Sequence, residues 1–342
     1  MGSGKSHDCE AEVDDGLKRR PYKSIKNRGY GTYHSKFVSF PRRKLSSKSI
    51  QSAMPNTLNK SFLHESSWKP GLFEGKVLFV TGGAGTICRV QTEAMVLLGC
   101  KAAIVGRDKE KTIKVAGEIS QLGHGASVLP VYGVDVRDIK QLEDAVSQTV
   151  NEFGRIDFVI AGAAGNFISD FTNLSSNAFK SVVSIDLLGS FNTVKACFPQ
   201  LKKNKGAIIF VSATFHYYGV PFQSHVGAAK AGIDALSNAL AVELGLLGIR
   251  SNCIAPGAIA NTEGISRLLT GNKKDEVFKR IPLQRLGTTR DIAETTVFLF
   301  SPAASFVTGT VQIVDGGMWH LGTPFGQDLY PDTLRSKMNA KL

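Results

Sequence analysis

A short apolar run, KVLFVT (76–81), passes directly into GGAG and then into TICRVQTEAMVLLG, where apolar residues recur at helical spacing. Strand, glycine turn and helix in that order leave the chain few choices. A β-branched run without polar alternation is a strand buried on both faces, and such strands belong to parallel sheets covered by helices. The alternation continues along the chain. Further strands are expected at 102–106, 127–135, 156–165, 207–213, 249–256 and 308–317. Helical patterns stand between them at 109–123, 138–154 and 177–201, and another runs on through GIDALSNALAVEL. The expectation is an α/β fold: one doubly wound Rossmann-type domain over 70–322, with a seven-stranded parallel sheet and helices on both faces. No internal repeat is visible.

The ends differ from this body. Of the net charge of +12, residues 1–53 carry +7, and no acidic residue occurs between Asp15 and Glu65. Residues 1–60 therefore read as a basic, disordered extension whose composition is like an organellar transit sequence. An inert tail, or a true start at Met54, is the reading that so nonspecific a composition favours. The mild charge of the remainder argues against a nucleic-acid-binding body. Five cysteines without CxxC spacing argue against a metal site and a disulfide framework. No apolar run reaches the ~18 residues of a membrane span. Residues 323–342 read as a C-terminal tail.

The glycine turn suggests a dinucleotide site. At Thr81, Gly82, Gly83, Gly85, Thr86 and Ile87 a backbone poor in Cβ atoms meets a helix N-terminus, which favours a pyrophosphate. Thr86 and Cys88 stand where the strict fingerprint has glycine. At the end of the second strand an acid would bind the ribose hydroxyls. Here Arg107 comes first and can pair with a 2′-phosphate, which favours NADPH. Arg89 is a candidate second cation, and Asp108 can start the next helix. Asp135 can reach the adenine or cap the helix at 137–153.

The stretch SATFHYYGVPFQSHVGAAK (212–230) holds a Ser at a strand end and a Lys on a helix. A reductase that protonates a carbonyl would carry Tyr one turn before that Lys. The chain has Val226 there.

TGGAGTI, AGAAG, Ser212, Lys230 and Pro256-Gly257 resemble the short-chain dehydrogenase/reductase family over about 75–320. AGAAGNF (161–167), IDLLGSFN (185–192), the 212–232 stretch and APGAIANTEG (255–264) are similar to the fungal peroxisomal 2,4-dienoyl-CoA reductases within it. That resemblance implies NADPH-dependent reduction of a 2,4-dienoyl-CoA to a 3-enoyl-CoA, an auxiliary step of β-oxidation. It implies Asp186 and Lys230 as the catalytic pair, with Lys230 also on the nicotinamide ribose. Ala163, Pro256, Gly257, Ile259 and Thr262 are then cofactor contacts, and Asn166, Phe167, Ser212 and Phe222 substrate contacts. Tyr217, Tyr218 and His225 are alternative acids. It further implies a homo-oligomer, dimer or tetramer, and a peroxisomal import receptor as partner of Ala340-Lys341-Leu342, although the basic N-terminus speaks for mitochondria. Reduction of a 2-enoyl-CoA or another carbonyl substrate, and a non-catalytic NADP-binding role, are the competing readings.

Overall fold

In the computed structural model, the chain divides into two units, Met1–Ser52 and Ala53–Leu342. The structure describes residues 57–322 of the second unit, apart from 66, 124 and 263–280. The basic stretch up to residue 56 and the C-terminal Ala340-Lys341-Leu342 lie outside the described residues.

Seven strands form one parallel sheet: β1 Val77–Thr81, β2 Lys101–Gly106, β3 Val128–Tyr132, β4 Phe158–Ala161, β5 Ala207–Val211, β6 Arg250–Pro256 and β7 Val311–Val314. Their order is β3-β2-β1-β4-β5-β6-β7. Pairing is in parallel register throughout, with Thr81 beside Val105 on one side and Ala161 on the other. The expected seven strands are all present.

Successive residues of each strand bury into opposite layers, as the pleat requires. Leu78, Val80, Ala102 and Ile104 pack with helices α2 (Thr86–Leu97) and α3 (Lys109–Ser120). Phe79, Ala103, Val105 and Val159 pack on the other face with α4 (Ile139–Phe153) and α6 (Gly189–Asn204). The long helix α8 (Ser224–Gly245) joins the second layer and α9 (Thr289–Phe300) the first.

Local signals set several of the boundaries. Asp108 caps α3, its carboxylate accepting the Lys111 N–H at 2.9 Å. Asp138, not Asp135, caps α4, and Gly154 ends it at φ +81. The expected helix over 177–201 runs unbroken, its α-helical hydrogen bonding interrupted only by a single π-turn, Ser184–Leu188, between α5 (Ser176–Val183) and α6. The stretch after Ser212 is also interrupted, with a short helix α7 (Phe215–Tyr218) before α8.

The packed body starts ahead of the expected boundary at 70. Leu58 and Phe62, the latter on helix α1 (Ser61–Glu65), are buried against the first layer. Two apolar residues in a basic stretch give no periodicity, so the sequence alone offers no sign of them.

Candidate active site

Strand order reverses between β1 and β4, and in open α/β sheets ligands bind beyond the carboxyl ends of the strands at such a crossing. A cleft of about 750 Å³ lies there, lined among others by Gly82, Gly85, Thr86, Ile87, Arg107 and Thr262. A smaller hollow of about 120 Å³ next to it is lined by Arg107, Asp135 and Ala163.

The residues present fit a dinucleotide. Gly82 has φ +69, and a Cβ on it would stand 2.8 Å from the Gly162 carbonyl oxygen. The turn therefore requires glycine there. Gly85 is the N-cap of α2 and offers no side chain to the first turn, so the helix N-terminus is open to an anion. Cys88 lines the cleft, and burial pushes its thiol up to about 12, so it adds no negative charge.

Other expected contacts stand behind the lining. Thr81 is buried, and its hydroxyl accepts the Gly162 N–H at 3.3 Å. A Cβ on Gly83 would collide with Ile104, so Gly83 permits close helix–sheet packing. Gly257 follows Pro256 and donates its N–H to Val314, while Ile259 is buried in the core with its carbonyl bound by Thr262.

The charges sort differently from expectation. Arg89 does not line the cleft. Its guanidinium is held by Glu93 at 2.7 Å and Glu118 at 2.6 Å. Lys111, in the first turn of α3, lines the cleft with Arg107 and was missed. It lies four residues after Arg107, a spacing that could have revealed it. Asp108 is engaged in capping α3, as its place before that helix suggests. Asp135 faces the smaller hollow, where hydrogen bonds from Arg137 hold its carboxyl down at about 2.

At the catalytic end, Asp186 sits within the π-turn and is 0% exposed. Its Oδ1 accepts the Gly165 N–H at 2.7 Å. Its Oδ2 lies 3.1 Å from Lys230 Nζ, an ion pair without hydrogen-bond alignment, so Oδ2 accepts no hydrogen bond among the described residues. Lys230 is itself buried and donates to the Val211 carbonyl at 2.9 Å. Val226, where a phenol would stand, is buried in an apolar cluster.

The loop after β4 is tied to the start of α8. The Phe167 carbonyl lies 3.1 Å from His225 Nε2 and 3.3 Å from Gln223 Nε2, and the Phe167 and His225 rings are 4.4 Å apart. Ser169 donates its N–H to Phe222, which holds φ +63. Asn166 directly follows Gly165, and Phe167 and Phe222 meet at this junction of the loop with α8. Ser212 is buried and stands by Asp234. The alternative acids are engaged. Tyr217 donates to Asp234 at 3.0 Å, and burial together with that charge pushes its phenol up. Tyr218 pairs with Thr214 at 2.8 Å, and burial raises it as well.

Among the described residues no three His, Cys, Asp or Glu gather as a metal site, and no helix is long and apolar enough to cross a membrane.

Comparison with known proteins agrees with this geometry. A family model described as Enoyl-(Acyl carrier protein) reductase matches residues 82–319. The chain is 70% identical over 288 residues to the peroxisomal 2,4-dienoyl-CoA reductase [(3E)-enoyl-CoA-producing] of Saccharomyces cerevisiae, covering 84% of this chain and 99% of that protein. It is 41% identical over 256 residues to the protein of the same name from Danio rerio, covering 74% and 84%. Among solved structures, levodione reductase superposes with a TM-score of 0.67 at 30% identity, covering 72% of this chain and 98% of that one. A citronellol catabolism dehydrogenase of Pseudomonas aeruginosa does so with 0.64 at 33% identity, covering 74% and 98%. With its glycine turn at the sheet crossing, its buried lysine and these relatives, the chain belongs to the short-chain dehydrogenase/reductase family.

Proposed function

We propose that the protein reduces a 2,4-dienoyl-CoA to a 3-enoyl-CoA with NADPH, in the peroxisome. The observation that carries this is the buried Asp186–Lys230 pair beside a position that lacks its phenol. A ketone reductase needs an acid aimed at the oxygen next to the hydride acceptor, and Val226 offers none. In a conjugated dienoyl thioester the charge develops on the thioester oxygen and the proton goes to carbon, so the acid belongs elsewhere.

NADPH, when bound, supplies the hydride. The chain's own task is to hold the substrate and deliver a proton. Lys230 is fixed by the Val211 carbonyl and charged against Asp186, while Asp186 is fixed by the Gly165 N–H. Between them, Oδ2 and Nζ can hold and polarise a water that protonates the α-carbon. Asn166, Phe167 and Phe222 line the acyl thioester. Gly82, Gly85, Thr86 and Ile87 take the pyrophosphate, Arg107 and Lys111 the 2′-phosphate, and Asp135 with Ala163 the adenine. Pro256, Gly257 and Ile259 shape the nicotinamide end, where Lys230 also meets the ribose. The names of the Saccharomyces and Danio relatives support both the reaction and the compartment. The C-terminal Ala340-Lys341-Leu342 is of the kind that an import receptor reads.

NADPH consumption measured in parallel with 2,4-dienoyl-CoA, 2-enoyl-CoA and 3-ketoacyl-CoA tests the reading. Turnover of the first alone is expected. Faster turnover of either of the others would replace it.

A further inference from the structure

Val226, Lys230 and Asp234 are spaced four residues apart on α8 and so form one stripe along its face. Each meets a different part of the site. Val226 packs with Val182 and Ala229, and Phe215 packs against that cluster. Lys230 meets Asp186 and the Val211 carbonyl. Asp234 is 7% exposed, accepts the Tyr217 hydroxyl at 3.0 Å and lies 2.8 Å from His216 Nε2. The proton-delivery step uses only the middle member of the stripe.

Burying a carboxylate is costly unless donors compensate it. Burial pushes Asp234 up, but the polar groups of His216, Ser212 and Tyr217 around it outweigh this and hold its carboxyl below the ordinary value; of these, the Tyr217 hydroxyl donates a hydrogen bond to Oδ2, and His216 Nε2 lies 2.8 Å from the same oxygen. All three residues belong to one segment, 212–218, which leaves β5 directly after Val211. That segment is therefore gripped twice by α8, through Phe215 against the Val226 cluster and through its polar groups against Asp234. Because Val211 also holds Lys230, the segment is the wall next to the proton-delivering pair. A tyrosine at 226 would add a ring and a hydroxyl to the cluster that receives Phe215.

We propose that Asp234 is a positioning residue that, together with Val226, docks the 212–218 wall onto α8 and so shapes the acyl side of the site. The missing phenol and the buried carboxylate two turns later act as one device. The Tyr217 hydroxyl serves the wall and not the substrate. For its substrate, though not for its geometry, the assignment rests on the dienoyl-CoA reading.

Tyr217 lies 5.7 Å from Trp319, one of two tryptophans in the sequence, so Trp319 emission in a Trp68→Phe background reports on the wall. Asp234→Asn and Tyr217→Phe should each shift that emission and raise the dienoyl-CoA KM about tenfold, the size of one lost charge-assisted hydrogen bond. NADPH affinity should stay within about twofold, and the double variant should be no worse than the poorer single, because groups in one network are not additive. Unchanged emission and KM in folded Asp234→Asn would overturn the proposal, as would effects that multiply in the double variant. If Asp234→Asn does not fold, Tyr217→Phe removes a single hydroxyl and carries the same expectation, and a silent Tyr217→Phe overturns the proposal. Should the unmutated protein reduce none of the acyl-CoAs, the functional reading fails while the emission shift still decides the wall.

Discussion

A carboxylate with no solvent contact survives only where its charge is matched, and Asp186 has one backbone donor and one ammonium to do it. Asp186→Asn preserves size and the Gly165 hydrogen bond but removes the charge. It should lower kcat by ~10²–10⁴, the usual worth of general acid–base help, with NADPH affinity little changed. Lys230→Ala should lose as much kcat and also weaken NADPH, since the proposed ribose contact goes with it. Steady-state kinetics with separate NADPH titrations check both, and near-normal kcat in Asp186→Asn would move the acid elsewhere. His225 is a poor alternative. A carbonyl can only accept, so Nε2 carries the proton given to Phe167, and Nδ1 is left bare and buried without a partner among the described residues. Burial holds this imidazole below its ordinary pKa. The unfolded chain takes up the proton near pH ~6.5 and the folded site resists it, so stability is full above that value and falls as pH drops toward the folded one. The melting temperature should therefore fall between pH 7 and 5.5, with a shallower slope in His225→Gln. Equal slopes in calorimetry would show that His225 does not contribute.

Elements were more legible than their irregularities. The strands announced themselves because a sheet covered on both faces demands unbroken apolar runs, as in VLFVT and AIIFV. The π-turn did not, because it changes which carbonyl Gly189 bonds, reaching back to Ser184, without disturbing the apolar pattern of SIDLLGSF. The burial of Asp186 could still be anticipated from its apolar neighbours, while its exact partners could not. The cations show the same division. Arg107, directly after β2, lines the cleft as its position suggests, whereas Arg89 is held by Glu93 one turn on and Glu118 across on α3, partners that its helical position alone does not reveal. Lys111, in the first turn of α3, is the cation that lines the cleft with Arg107. Arg107→Ala should raise the NADPH KM by about 10–100-fold, the range of lost charge-assisted hydrogen bonds, and leave kcat nearly unchanged. Lys111→Ala should do the same to a smaller extent, and neither should harm NADH use. The ratio of kcat/KM for the two cofactors is the measurement, and a ratio unmoved by Arg107→Ala would remove it from the phosphate.

At the scale of the molecule, the described chain begins with a strap across helices from the same face of the sheet. Leu58 donates its N–H to the buried Glu93 at 2.7 Å, Phe62 lies under the Arg290 guanidinium at 5.5 Å, and Trp68 donates to Glu294 at 2.6 Å. Glu93 belongs to α2, and Arg290 and Glu294 to α9, so the strap joins the helix that bears the cofactor turn to one from the far end of the sequence. Burial pushes the Glu93 carboxyl up, and the Arg89 and Leu58 donors oppose that. Removing the strap would uncover an apolar face and take one donor from a buried acid at once. A chain beginning at Met54 keeps every one of these contacts, and it should match the full-length protein in activity and melting temperature. A chain beginning at residue 70 loses Leu58, Phe62 and Trp68. Deletion of one large buried aromatic costs about 3–5 kcal/mol, and each kcal/mol is worth about 2–4 °C in a domain of this size. The shorter chain should therefore melt roughly 10 °C or more below the longer one. Phe62→Ala in the full chain should give most of that loss. If instead the chain from residue 70 melts with the full-length protein, the strap is an ornament on a domain complete without it.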